Sequence, residues 1–333
     1  MRTRRERVRA ACRRLSVLLG ALLPFAAQAA LPLGHLHFLV PGGAGSGWDT
    51  TARTAGRVLQ GAGLVGSASF ENVSGAGGGK AIGTMIETAA RSGDTLMVNS
   101  TPIIVRSLTR LFPYSYRDLT PVARLIGDYQ ALIVRPDSAI RDFNDVVARF
   151  RRDPRSVKIA GGSVRGDLDH LVPALALRAA GLDARRLAYV PYDGGGKALS
   201  GFLTGEADLL STGLGEVLAY HGAGKLRIIA ITAPARVAGL DEVPTLKEQG
   251  IDFEFVNWRG FFAPPGIPES RADRYAELFA AMQETDKWEE MRRRNGWQNL
   301  YLDREDFVRF LEQQEHDIRE LLLELGFLRA GSS

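Results

Sequence analysis

The chain has 333 residues, 45% of them hydrophobic and 24% charged, which is enough for two domains with real cores and excludes a disordered polypeptide. Its formal net charge of +4 is no argument for nucleic acid, because the first 29 residues hold seven arginines against Glu6 and leave the remainder at about −2. Cys12 is the sole cysteine, so the rest of the chain has no disulfide, thiolate metal site or cysteine nucleophile.

The N-terminal segment has the three parts of an export signal. Arginines up to Arg14 precede the apolar run Leu15 to Phe25, too short to span a bilayer, and Ala27-Gln28-Ala29 forms a small-x-small cleavage site before Ala30. Ser16 interrupts the apolar positions that a twin-arginine signal after Arg13-Arg14 needs, and Cys12 lies ahead of the apolar run, which does not suit a lipid anchor. No later window approaches the ~18 to 20 consecutive apolar residues of a membrane helix.

From there strands and helices alternate. His35 to Val40 reads as a strand, Asp49 to Gln60 as a helix with Asp49 as N-cap, and Ser67 to Val73 as a second strand. Lys80 to Ala90 reads as a helix and Thr95 to Asn99 as a third strand, an order that predicts parallel strands joined by crossover helices. The same grammar resumes after about residue 128, with strands at Ala131 to Arg135, Val157 to Ala160, Leu187 to Tyr192, Asp208 to Ser211 and Leu226 to Ile231. Helices at Asp142 to Arg151, Asp167 to Ala180 and Lys197 to Thr204 separate them, and the tail from Glu269 to Leu328 reads as helical. Two α/β units without a floppy linker predict a cleft between them as the ligand site.

Two strand-to-helix loops are dense in glycine: Pro41-Gly42-Gly43-Ala44-Gly45-Ser46-Gly47-Trp48-Asp49 and Ser74-Gly75-Ala76-Gly77-Gly78-Gly79-Lys80. Glycine lets backbone amides approach a ligand, and the helix that follows supplies unpaired N–H groups, so both loops suit an anion. They are not nucleotide loops. Trp48 and Thr50 stand where the dinucleotide fingerprint needs glycine, and Ser74 and Ala81 break a P-loop ending at Lys80. Gly161 to Asp167 and Tyr192 to Lys197 have the same glycine-rich character in the second half, so four such loops can enclose a small anion from both sides.

Catalytic patterns find little support. Gly161-x-Ser163-x-Arg165 lacks the second glycine of a nucleophile elbow, and the five histidines show no metal-site spacing. His170 is a contact candidate near the cleft. Arg259, in Trp258-Arg259-Gly260-Phe261-Phe262 where the chain returns between the two units, is placed to grip a carboxylate with two hydrogen bonds.

From about Leu36 to Phe327 the sequence resembles the extracytoplasmic solute receptors of tripartite tricarboxylate transporters, the TctC/Bug family. The resemblance is carried by Pro41-Gly42-Gly43 with Asp49, Gly75-Ala76-Gly77-Gly78, Leu119-Thr120-Pro121-Val122-Ala123, Ala188-Tyr189-Val190-Pro191-Tyr192, Gly224-Lys225-Leu226-Arg227 and Val243-Pro244-Thr245-Leu246-Lys247-Glu248-Gln249-Gly250. Asp193-Gly194-Gly195-Gly196 and Arg259-Gly260-Phe261 look closest to the tricarboxylate-binding branch. The first loop departs from the pattern in Ala44 to Gly47 and Trp48, and Gly213 stands where a polar or acidic residue would be unsurprising.

The resemblance implies an α/β, two-lobed type II periplasmic binding protein (clamshell) fold, with residues 30–127 and 257–333 forming one lobe and 128–256 the other. It also implies a periplasmic, non-enzymatic monomer that needs no cofactor, metal or nucleic acid, and that delivers a small organic carboxylate, citrate or a related tricarboxylate, to a permease of one large and one small membrane subunit. An exported enzyme or a sensor on the same fold stands as the alternative. Carried over by position, the ligand-facing candidates in the first unit are Gly43, Gly45, Ser46, Gly47, Trp48, Asp49, Ser74, Gly75, Ala76, Gly77, Gly78, Ser100 and Thr101. Those in the second are Ser163, Asp167, His170, Asp193, Gly194, Gly195, Ser211, Thr212 and Gly213, with Arg259 on the return strand. N-terminal sequencing of the exported protein is expected to begin at Ala30, and a start beyond Leu36 would contradict the first strand.

Overall fold

The computed structural model describes residues 33–328, so the expected export signal, its cleavage site and Cys12 lie outside the described residues. The chain opens with β1 (Leu36–Val40), α1 (Gly47–Gly61), β2 (Ala68–Asn72), α2 (Gly79–Glu87), β3 (Thr95–Ser100) and α3 (Pro102–Leu108). β1 pairs in parallel with both β2 and β3, the arrangement that crossover helices impose. β4 (Thr120–Val134) follows, and then α4 (Phe143–Arg152), β5 (Lys158–Gly161), α5 (Leu168–Ala179), β6 (Ala188–Pro191), α6 (Gly195–Leu203), β7 (Leu209–Gly213), α7 (Leu214–Gly222) and β8 (Arg227–Ile231). The chain returns on β9 (Val256–Ala263) and ends with α8 (Glu269–Gln283), α9 (Asp286–Arg294), β10 (Gln298–Leu302) and α10 (Arg304–Glu324).

The strands join in the order β2-β1-β3-β9-β4-β7-β5-β6, with β8 and β10 also pairing to β4. β4 changes partners along its length: Thr120 to Tyr129 run antiparallel to β9, and from Gln130 onward the strand pairs with β7 and β8. One strand therefore belongs to two half-sheets. Its sequence allows this, because Val122, Ala123, Leu125 and Ile126 are buried in the core of the first half-sheet. Beyond them, Leu132 and Val134 enter one core of the second half-sheet while Ala131 and Ile133 enter the core on its opposite face, the alternation of a strand covered on both sides.

β9 fills the first half-sheet the same way. Phe261 packs with Phe38 and Phe279 on one face, and Trp258 and Phe262 pack with Phe307 on the other. Each such side chain contributes roughly 1.5–3 kcal/mol by leaving water, so the return strand is anchored by its aromatic residues.

Two sequence expectations are corrected here. The C-terminal tail is not wholly helical: α9 stops at Asn295, Gly296 takes φ +67°, and β10 pairs with β4 at Gln298↔Gly127. The Asn-Gly pair is the breaker, because glycine adopts that backbone without strain. The first helix starts two residues earlier than expected, with Ser46 as its cap: the Ser46 hydroxyl accepts from the Asp49 amide at 3.4 Å. Asp49 is therefore not the N-cap. Among the described residues, no helix is long and apolar enough to cross a membrane.

Candidate functional site

The loops after β1, β2, β3, β5, β6 and β7 meet in a groove between the half-sheets. Its inner cavity, about 110 Å³, is lined by Gly47, Trp48, Ser100, Ser163, Gly194, Gly195, Gly213 and Arg259 among the expected residues. An outer chamber of about 450 Å³ is lined by Gly43, Ser74, Gly75, Gly77, Gly78 and Asp193. Trp48, Arg106, Gly162 and Gly194 border both. The glycines matter here because backbone approaches backbone: a Cβ at Gly162 would collide with the main chain of Gly194 and Gly195.

Arg259, expected to grip a carboxylate, has both terminal nitrogens of its guanidinium engaged within the protein. It is 4% exposed, and its Nη2 donates to Asp128 Oδ2 at 2.7 Å while Nη1 donates to the Gly47 carbonyl at 2.8 Å and the Thr51 hydroxyl at 3.0 Å. Its guanidinium thus ties β9 to β4 and to the start of α1. Gly47 has to be glycine for this reason, since a Cβ there would overlap the guanidinium. Arg106 forms a second clasp: it pairs with Asp167 from the far side of the groove, donates to the Gly77 carbonyl, and lies 5.7 Å from the centre of the Trp48 ring. The Trp48 indole is held in turn by the Ser100 hydroxyl at 2.9 Å.

Both cations lining the inner cavity are therefore paired, and two carboxylates are not. Glu216, on α7, accepts from the Gly47 amide at 2.8 Å and from the Thr212 hydroxyl at 2.7 Å. Asp169, on α5, accepts from Gln130 Nε2 at 2.9 Å. Burial pushes the Asp169 carboxyl up to about 7, and the negative charges of Glu216 and Asp167 add to that. Burial also raises Asp128, to about 6, with Arg259 opposing the rise and Glu216 reinforcing it.

Several expected contacts serve the scaffold. The Asp49 carboxylate accepts from the Gly45 amide (2.9 Å), Arg53 Nε (2.8 Å) and Asn72 Nδ2 (2.9 Å). Burial acts to raise its pKa, yet these hydrogen bonds hold it below the usual carboxylate value. Gly45 and Asp49 thus brace the loop between them, and Ser46 caps α1. Asp167 caps α5 and pairs with Arg106. Ala76 sits in the short turn before α2 at φ +46°. Thr101 and Ser211 are buried, and Thr212 holds Glu216. His170 lines a separate cavity with Arg165 and Phe327, where burial and the Arg165 charge push it down to about 4.

The sequence reading missed Arg106, Gln130, Glu216 and Asn257, all of which line the inner cavity together with Asp169 of the Ser163 to His170 stretch. Arg106 had a signal in the lone charge after the apolar run Pro102-Ile103-Ile104-Val105. Asp128 had one too, standing in the apolar stretch from Leu125 to Val134. A charge in such a run is either paired or functional. Asp169 and Glu216 sit in ordinary helix-start contexts, and only the fold brings them together.

The model of the tripartite tricarboxylate transporter family receptor matches residues 63–327. The chain therefore belongs to that family of solute receptors, which are not enzymes. A Pseudomonas sp. protein described as "UPF0065 protein in tcbD-tcbE intergenic region" is 30% identical over 263 residues, covering 77% of this chain and 76% of the relative. A Rhodopseudomonas palustris protein solved with adipate is 23% identical with a TM-score of 0.78, covering 89% of this chain and 98% of its own. MatC from the same species, solved with malate, is 21% identical with a TM-score of 0.75, covering 87% of this chain and 99% of its own. The two-lobed periplasmic binding fold expected from the sequence is the one these proteins share.

The raised Asp169 fixes a sign. A carboxyl whose folded-state value lies above its unfolded one destabilises the fold once ionised, so the penalty is absent below about pH 4 and complete above about pH 7. Asp169→Asn is expected to stabilise the ligand-free protein by roughly 1–3 kcal/mol at about pH 8 and to change little at about pH 4, read by urea unfolding. An equal effect at both would contradict the assignment.

Proposed function

We propose that this protein is a periplasmic receptor that captures a small carboxylate, citrate or another di- or tricarboxylate, in the groove between its two lobes. Residues 30–127 and 257–333 would form one lobe and 128–256 the other, and the receptor would hand its ligand to a permease of one large and one small membrane subunit. The observation that carries the reading is the convergence on one chamber of two glycine-rich loops with the N-termini of α2 and α6, where Gly78, Gly194 and Gly196 form the wall. Helix starts present unpaired amides and partial positive charge, which favour an anion. The two Rhodopseudomonas palustris proteins of the same fold hold adipate and malate, both carboxylates. Because the chain after residue 29 is net negative by about two charges, long-range attraction does not supply affinity, and local donors have to.

The test is thermal unfolding of the mature protein against citrate, isocitrate, tricarballylate, malate, succinate and glutarate. At a hundredfold excess over its dissociation constant a ligand stabilises by about 2.7 kcal/mol, enough to shift the melting temperature visibly. At least one acid is expected to respond. No response to any organic acid, with a shift for a sugar or a metal ion, would overturn the reading.

A further inference from the structure

If the groove receives a carboxylate, its inner cavity narrows which carboxylates fit. The groove is polar in two opposite senses. Its outer chamber carries donors, the helix starts at Gly78 and Gly194 and the Ser74 hydroxyl, beside the Lys197–Asp193 ion pair. Its inner cavity shares the start of α6 at Gly194 and Gly195 and adds two acceptors, because Asp169 and Glu216 line it from α5 and α7 and both cations beside it are engaged with Asp128 and Asp167.

We propose, resting on the receptor reading above, that the cleft selects a carboxylate bearing a hydrogen-bond donor of its own, a hydroxyl or an ammonium, which sits on the Asp169 and Glu216 carboxylates. The acid group then lies toward the glycine loops.

A carboxylate offers about four lone-pair sites. Gln130 and the Ser163 hydroxyl hydrogen-bond the Asp169 carboxylate, and the Gly47 amide and Thr212 hydroxyl donate to Glu216. Acceptor capacity on both is left for a ligand. The ionised form of Asp169 is disfavoured by burial and by Glu216 and Asp167 around it, the condition that a donated hydrogen bond relieves. A plain diacid brings the opposite: its second carboxylate would meet two carboxylates inside a cavity of about 110 Å³ whose lining cations are both already paired. Sites built to hydrogen-bond a hydroxyl or amine discriminate strongly against the analogue that lacks it, because their own polar groups are left unpaired. Arg259 adds to the polarity of this wall, since its buried Nε has no partner among the described residues.

Calorimetry on the mature protein with matched pairs tests this: citrate against tricarballylate and malate against succinate differ by one hydroxyl, and aspartate against succinate by one ammonium. The donor-bearing acid of at least one pair is expected to bind at least about tenfold tighter, and which pair responds tells hydroxyl from ammonium. Asp169→Ala is expected to bring that ratio toward one; should the variant not fold, the wild-type ratios decide alone. Equal or tighter binding of tricarballylate and succinate would overturn the inference while leaving the receptor reading intact. If no acid of any pair binds, this inference falls, and the receptor reading stands or falls on the wider panel of acids.

Discussion

Everything around the groove is referred to one buried ion pair. Arg259 and Asp128 sit on neighbouring strands β9 and β4, of which β4 runs on into the second half-sheet, and the guanidinium reaches past its partner to the Gly47 carbonyl and Thr51. Taking two charges out of water is expensive, and a pair of this kind adds little net stability over an apolar substitute, but removing one member strands the other. What it contributes is position. It sets where α1 begins relative to the crossing strands, and it dictates small residues nearby: a Cβ at Gly47 would strike Arg259 and one at Gly213 would come within 2.7 Å of Asp128 Oδ2.

The same logic extends across the groove. Arg106 links the Gly77 carbonyl of one loop to Asp167 at the start of α5, and Glu216 reaches from α7 to the first amide of α1. These long side chains hold the glycine loops in place. A ligand in the groove then meets backbone amides and a few short polar groups whose positions are already determined, which lowers the ordering cost of binding. The cations of the wall are held by their ion pairs with Asp128 and Asp167.

How much of this was legible depends on the type of signal. The glycine loops, the alternation of strands and helices and the return strand at Trp258 to Phe262 were readable because backbone freedom and apolar periodicity are local properties. β4 was only partly readable. Arg124, Asp128 and Gln130 interrupt its apolar run, and the reason they are tolerated is tertiary: Arg124 donates to the Leu300 carbonyl at 2.7 Å and lies 4.2 Å from the Phe310 ring centre, Asp128 meets Arg259, and Gln130 meets Asp169. The partners of Arg259 within the protein were hidden for the same reason. An arginine on a hinge strand looks free until the acid 131 residues away is placed beside it. Glu216 and Asp169 lie 47 residues apart in chain position and had no shared motif to announce them.

Arg259 is thus a tie within the protein. Urea unfolding of the ligand-free Arg259→Ala, Asp128→Ala and double variants tests this most directly. Arg259→Ala alone is predicted to cost about 3–5 kcal/mol, because Asp128 is left buried and unpaired, and the double variant to cost clearly less than the sum of the two single ones. An Arg259→Ala protein as stable as the wild type, or two single losses that simply add, would contradict it.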